Sequence, residues 1–369
     1  MEAEPEVSGA TCSVVALASP KGTDTFCELC QRRAHVQCSR CQVTFYCDAE
    51  HQRADWVGIH ERICQLLVPL RSPTLFSSQH PDCIETQIKK MELIEICKSV
   101  AQSKFSEGKY QEALPAAQFC LRCSMDVHGP STAQLVPAYL LLAEANMGLG
   151  NLDLVTQLLS QAEWVVLKSP ECGHTIHHQL HKSLGLLHMA TGNLEAALFH
   201  FANNIYFASE EYGPDSPVTC GGYFLMANIF ARQGKMSIAR SLYSEVAQTW
   251  HCLLTKRLET HSQKANEPDF LLLQPSYESS QRAEVEEMLR TMLEFEQNAS
   301  RKDSAQVALV AHCLAMLWFL EGDSAKTQGF GNTALQASQL IPYHNLKEPV
   351  QALLQLVQDL QTDPHPGSD

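Results

Sequence analysis

Residues 27–64 read CELCQRRAHVQCSRCQVTFYCDAEHQRADWVGIHERIC. Eight metal-ligand candidates lie within these 38 residues: Cys27, Cys30, Cys38, Cys41, Cys47, His51, His60 and Cys64. They fall as C-x2-C, C-x2-C, C-x3-H and H-x3-C, four pairs whose members each grip one side of a metal. Four pairs supply two tetrahedral sites, the geometry zinc adopts with thiolate and imidazole ligands. In Cys47/His51 and His60/Cys64 the i, i+4 spacing sets both ligands on one helical face. The order of the pairs leaves sequential and interleaved pairing both open. A segment of about 40 residues cannot bury enough apolar surface to fold alone. Metal must supply the stability, and structural zinc is worth about 10–16 kcal/mol in small fingers. With every position taken by a protein ligand, catalytic zinc is disfavoured.

The rest of the composition sets limits. A chain of 369 residues has room for two or three domains, and its 45% hydrophobic content is that of a folded protein. The net charge of −14 argues against nucleic acid as a partner, because phosphate contacts need clustered Lys and Arg. No apolar run approaches the roughly 20 residues of a membrane span, so no membrane partner is expected. The acidic start, MEAEPEVSGATCSVVALASP, lacks the pattern of a signal peptide. Six of the 15 cysteines sit in the ligand cluster, and the others are scattered without a framework. That usage fits a reducing compartment and an intracellular, cytoplasmic protein.

The stretch CELC…CSRCQVTFYC…HQRADWVGIHERIC resembles the MYND zinc finger, whose pattern continues through Tyr-Cys, a Gln, an Asp-Trp, a His and a final Cys. That family interleaves its ligands. The resemblance therefore implies one structural zinc held by Cys27, Cys30, Cys47 and His51, and a second by Cys38, Cys41, His60 and Cys64. Two departures stand out. His51 occupies a position where the family usually has cysteine, and the Trp56–His60 interval is one residue longer than usual, which bears on the local helix geometry. In the family, the residues matching Gln52 and Trp56 help form a shallow groove for proline-containing peptides. Trp56 suits a peptide anchor; the competing reading is that it fills the miniature core.

Behind the finger the chain repeats. Gly108, Gly150, Gly192 and Gly234 stand 42 residues apart. Two residues after them come Tyr110, Leu152, Leu194 and Met236; five after come Ala113, Val155, Ala197 and Ala239; seven before come Ala101, Ala143, Gly185 and Ala227. This describes helix–turn–helix units in which Gly ends the first helix and small residues let the two helices cross closely. The register resembles the tetratricopeptide repeat in a long form similar to that of kinesin light chains, with connectors at His128–Ser131 and Tyr212–Ser216. A degraded fifth unit is expected around Ala315 and Gly322, and a capping helix around Lys347–Leu360.

The fold class expected is mostly α: a small two-zinc MYND finger followed by an α-α tetratricopeptide-repeat solenoid. Its expected parts are a disordered N-terminus (1–22), finger (23–66), linker (67–85), four repeats (86–255), loop insertion (256–280), helical C-terminal part (281–361) and disordered tail (362–369). In such solenoids the first helices line the concave side. The inward positions map to Lys98, Gln102 and Phe105; Leu140, Glu144 and Met147; Lys182, Leu186 and Met189; and Phe224, Asn228 and Arg232. Peptide-binding candidates are thus Gln52, Trp56, Lys98, Gln102, Glu144, Lys182, Asn228 and Arg232.

Other clusters rank lower. His174, His178 and His181 share a helical face and read as surface or groove histidines. Cys120 and Cys123 show C-x2-C spacing mid-helix and read as buried thiols. Asp269–Gln274 is either a docking segment or a strand of chain folded back on the helices. No phosphate loop, nucleophile elbow or H-E-x-x-H motif occurs. A MYND finger also accompanies helical repeats in SET-domain lysine methyltransferases, but there it interrupts a β-rich domain for which this chain has no strand-rich segment. The expected function is a non-enzymatic adaptor or scaffold binding other proteins through finger and groove. Whole-chain organisation resembles vertebrate MYND-finger proteins, which implies a role in a ciliary or flagellar assembly with axonemal partners. The alternative is a nuclear corepressor-type recruiter of proline-rich peptides.

Overall fold

The computed structural model describes residues 25–71, 83–169, 172–264, 279–299, 302–341 and 345–362. The chain divides into two compact units, Met1–Cys172 and Gly173–Asp369. Among the described residues it is mostly helical, with one two-stranded sheet.

The first unit starts with the finger. Strands β1 (Val36–Gln37) and β2 (Phe45–Tyr46) pair antiparallel, Val36 opposite Tyr46. Helix α1 (Ala49–Asp55) runs through a π turn, Trp56–His60, into α2 (Glu61–Arg71). Inserting one residue into an α-helix produces a π bulge. The extra residue between Trp56 and His60 is absorbed in this way, so the ligands on either side stay in place. Two helical hairpins follow: α3 (Cys83–Ser106) with α4 (Tyr110–His128), and α5 (Val136–Gly148) with α6 (Leu152–Lys168). The finger lies against the first hairpin, with the π turn and α1 packing on α4.

The second unit contains hairpins α7 (His174–Ala190) with α8 (Leu194–Tyr212), and α9 (Pro217–Arg232) with α10 (Met236–Lys264). Then come α11 (Ser279–Asn298), the hairpin α12 (Ser304–Leu320) with α13 (Ser324–Gln339), and α14 (Lys347–Thr362). Helix α12 is buried on nearly every side, from Ala308 to Trp318, because α10, α11, α13 and α14 all pack against it. Helix α14 covers the far side of α13 with Val350, Leu353 and Val357.

Each expected turn glycine has a left-handed backbone: φ is +71° at Gly108, +76° at Gly150, +81° at Gly192, +75° at Gly234 and +75° at Gly322. At Gly150 the glycine N–H donates to Met147 O (3.0 Å) and the next N–H, of Asn151, donates to Asn146 O (2.9 Å). This is the Schellman closure of a helix C-terminus, and the same pair of bonds recurs at the other four glycines. Tyr110, Leu152, Leu194 and Met236 each open the second helix, as the spacing predicts. The small residues at the crossings are fully shielded: Ala113, Val155, Ala197 and Ala239 on the second helices, Ala101, Ala143 and Ala227 on the first. At Gly185 a Cβ would stand 2.4 Å from the Phe201 ring, so this crossing admits no side chain at all.

The expected linker and loop both shorten at each end. Residues 67–71, expected in the linker, finish α2 with Pro69 inside it, because Leu67 is buried and Arg71 is pinned by an ion pair. Residues 256–264, assigned to a loop, extend α10, where Leu258 packs on the core and no Gly or Pro interrupts. Linker residues 83–85 open α3, and residues 279–280 of the expected loop open α11. The expected N-terminal segment 1–22, linker residues 72–82, the Asp269–Gln274 segment and the tail beyond 362 lie outside the described residues.

Candidate metal centre

The two zinc knuckles are built alike. In each, the residue after the second cysteine takes the left-handed conformation, Gln31 at φ +57° and Gln42 at φ +58°. Its N–H closes the turn on the first cysteine's carbonyl, Gln31 to Cys27 and Gln42 to Cys38, both at 3.0 Å. The paired ligands come from the helix that follows. Asp48 caps α1, its carboxylate accepting from the His51 N–H at 2.7 Å. That cap starts the helix where Cys47 and His51 face the same way. His60 ends the π turn, and Cys64 lies one helical turn later on α2.

The side chains meet in two tetrads, Cys27–Cys30–Cys47–His51 and Cys38–Cys41–His60–Cys64, with all ligand atoms of each within 4.8 Å of one another. In the first, Cys30 Sγ is 3.5 Å from Cys47 Sγ, and His51 Nδ1 lies 3.4 Å from Cys27 Sγ and 3.1 Å from Cys47 Sγ. In the second, Cys38 Sγ is 4.0 Å from Cys64 Sγ, and His60 Nε2 lies 3.4 Å from Cys38 Sγ and 3.6 Å from Cys41 Sγ. A tetrahedral zinc with thiolates at about 2.3 Å separates its ligand atoms by roughly 3.5–3.8 Å. The observed spacings fit that geometry, and the sulfur pairs are far outside the roughly 2.05 Å of a disulfide. Each tetrad supplies three thiolates and one neutral imidazole, leaving no coordination position open.

Behind the second tetrad stands a relay. His60 Nδ1 lies 3.7 Å from Asp55, whose carboxylate accepts the Tyr46 hydroxyl at 2.7 Å. Burial pushes the Asp55 carboxyl up to about 7, with the nearby Glu28 carboxylate adding to the shift. A carboxylate on that side of the ring favours the orientation a ligating histidine needs, here at a distance longer than a direct hydrogen bond. Trp56 packs beside this group, its ring 5.8 Å from that of His60 and the Arg40 guanidinium 4.6 Å above it. It is half-buried against the finger core, as is Gln52 at its own position.

One ion-pair cluster had no sequence signal. Glu28, inside the first knuckle, takes both nitrogens of Arg71 at 2.8 and 3.1 Å and Arg122 Nη2 at 2.5 Å. Arg122 also donates to the Glu28 carbonyl. Burial works against this carboxylate, yet Arg71 and Arg122 hold it down at about 2. Close by, Gly58 in the π turn faces α4 so tightly that a Cβ would lie 2.7 Å from Pro115 Cγ and 2.9 Å from the Glu112 carbonyl. Arg122 lies in α4, in sequence that shows only helical periodicity.

The remaining candidates disperse. On α3 and α5, Lys98 pairs with Glu95 at 2.8 Å, while Gln102 and Glu144 are exposed. In the second unit Lys182 pairs with Glu284 at 3.2 Å, Asn228 accepts from the Tyr243 hydroxyl at 2.5 Å, and Arg232 is exposed. Leu140 and Phe224, expected on an inward groove, are core residues, and Leu186 and Met189 pack on the cluster of Ala197, Phe201 and Ile229. His178 is buried, and His181 instead meets His200 across the hairpin, Nδ1 to Nδ1 at 3.0 Å. Cys120 and Cys123 are buried thiols, and burial pushes them up to about 11 and about 12.

Comparison with known proteins agrees with the geometry of the front segment. Human Egl nine homolog 1 is 47% identical over 49 residues, 13% of this chain and 11% of that protein. Mouse Egl nine homolog 1 is 46% identical over 41 residues, 11% of this chain and 10% of that protein. The chain spans about a tenth of the length of these curated relatives, and the likeness is confined to the finger. The family model of the MYND finger matches residues 27–64. The front of this chain is a MYND zinc finger, a protein-interaction domain built on two Cys/His zinc sites.

Proposed function

We propose that the chain is a non-enzymatic intracellular adaptor that gathers other proteins through its finger and its helical hairpins. The observation that carries this reading is the finger itself, whose two four-ligand sites are filled by protein and whose Trp56 stays half-exposed. A half-buried tryptophan beside a glutamine one helical turn away suits a proline-containing peptide. The helical body supports a second docking role. Its five Gly-closed hairpins repeat one geometry, as tetratricopeptide repeats do, and Gln102 and Glu144 in one unit and Arg232 in the other present polar groups from first helices. The cytoplasmic part of this reading rests on cysteine usage, a dense Cys/His segment with scattered thiols elsewhere. A place in assembling a ciliary or flagellar axonemal complex rests on whole-chain resemblance alone.

The test is direct. Zinc-loaded chain is titrated with fluorescent proline-rich peptides, then compared with Gln52→Ala/Trp56→Ala. The expected result is binding lost in the double variant while two zinc atoms per chain are kept. Unchanged binding removes the finger from the reading, and turnover of a methyl donor by the purified chain ends it.

A further inference from the structure

We propose that the two zinc sites differ in kind: the Cys38–Cys41–His60–Cys64 site is permanent, whereas the Cys27–Cys30–Cys47–His51 site is exchangeable and controls whether the finger stays docked on α4.

Three observations separate the sites. All four ligands of the second tetrad are buried, whereas Cys30, Cys47 and His51 of the first are half-exposed, so water and competing ligands reach only one site. His60 turns its other ring nitrogen toward the buried Asp55 carboxylate at 3.7 Å, which in turn accepts from the Tyr46 hydroxyl. His51 turns Nδ1 toward the sulfurs of Cys27 and Cys47, the atom that would hold the metal, and among the described residues no side chain bonds its other nitrogen. Loss of such an outer partner typically weakens metal affinity about 10–100-fold. Finally, the Asp48 carboxylate lies 3.0 Å from Cys47 Sγ. A carboxylate there opposes a metal-bound thiolate by like-charge repulsion.

The exposed site carries the residue that bonds directly to α4. Its first knuckle, Cys27–Cys30, carries Glu28, whose side chain and carbonyl both bind Arg122 on α4. Zinc fixes the knuckle, the knuckle aims Glu28, and Glu28 holds the finger on α4. Linkage makes the effect reciprocal: whatever docking contributes to zinc binding, zinc contributes equally to docking. The second site reaches this contact through the π turn with Gly58 and through α2, whose Arg71 also binds Glu28, and its four ligands are all buried.

The test uses the full chain loaded with two zinc atoms and challenged with excess chelator, release being followed with a chromogenic zinc indicator. Two phases of one equivalent each are expected. Glu28→Gln should speed the fast phase about tenfold and leave the slow phase alone. His51→Cys should slow the fast phase, since a thiolate replaces the unsupported imidazole. Hydrogen exchange of the wild-type chain, sampled after the first equivalent has left, should show faster exchange in α4 around Glu112–Arg122 and unchanged protection in α12. This last measurement needs no variant to fold. A single release phase, equal acceleration of both phases by Glu28→Gln, or unchanged α4 exchange after the first equivalent leaves would each overturn the proposal.

Discussion

Glu28 and Arg122 are separated by 94 residues of sequence and 2.5 Å of space. One lies between the cysteines of a zinc knuckle and the other in the middle of α4, and both side chains are largely shielded from water. The pair therefore converts a finger and a helical hairpin that the sequence presents as separate modules into one packed body within the first unit. Its arginine partners arrive from two directions, Arg71 from the end of α2 and Arg122 from α4. The helix that continues past the last zinc ligand is needed to bring Arg71 there.

Removing one partner of a buried charge costs on the order of 3 kcal/mol when the other is left alone, and on the order of 1–2 kcal/mol here, because Arg71 still pairs with Glu28 at 2.8 and 3.1 Å. Arg122→Met should lower the opening free energy of the finger and α4 by that smaller amount, read by hydrogen exchange, while α12 in the other unit is unaffected. Because the Glu28 pKa is depressed to about 2, its contribution is present above its ordinary value of 4.5 and is lost as pH falls toward 2. Wild type and Arg122→Met should accordingly converge in acid.

Gly58 gives a steric test of the same docking. Alanine is the better helix former by roughly 1 kcal/mol, so in an undocked finger Gly58→Ala would stabilise the turn. Against α4 the added methyl meets Pro115 and the Glu112 carbonyl at under 3 Å, and overpacking of this sort costs typically 1–3 kcal/mol. The variant should keep two zinc atoms by elemental analysis yet show faster amide exchange in α4. If protection in α4 instead rises, the finger does not bear on that helix.

The ligand pattern and the glycine spacing were legible because each is local and repeats. A tetrad needs eight residues of the right type at fixed intervals, and a Schellman turn needs glycine where the backbone goes left-handed, so both leave marks in the letters. The interleaving of the tetrads came from family likeness and is now visible as distance. Glu28, Arg122 and Gly58 were not legible. A glutamate in a knuckle and an arginine in a helix are each ordinary surface residues until tertiary packing brings them together. The groove positions fared unevenly for a related reason: Leu140 and Phe224 share a helical face with exposed residues, and only packing decides which of them the neighbouring helix covers.

Acid should weaken the second unit through its histidines. Burial lowers His178, His181 and His312 to about 4. Their folded pKa values lie below the unfolded value of about 6.5, so the unfolded chain binds more protons between those limits and stability rises with pH there. The contribution is complete above about 6.5 and fades as pH falls toward 4. His312, 3% exposed and bonded through Nδ1 to His251 at 3.2 Å, is the cleanest case. His312→Asn keeps a polar group near the Nδ1 position but takes up no proton. It should remove about 2 kcal/mol of the pH dependence between pH 7 and 5, measured by denaturant unfolding or by exchange in α12. An unchanged slope would show that His312 is already protonated in the fold.

The turn glycines separate backbone cost from steric cost within one hairpin. Gly192 has φ +81° and nothing within 4 Å of where a Cβ would go, so Gly192→Ala carries only the left-handed penalty of about 1 kcal/mol. Gly185 lies in the same hairpin, in ordinary helix, and its Cβ would strike Phe201 at 2.4 Å. Gly185→Ala gains helix propensity and still should lose about 1–3 kcal/mol, because the Phe201 ring is fully buried and has nowhere to move. Since Gly234 and Gly322 close their helices with the same two hydrogen bonds as Gly192, alanine at all three should cost the same within about 0.5 kcal/mol. A wider spread, measured by exchange protection in the flanking helices, would mean that the hairpins share a sequence register without sharing a turn.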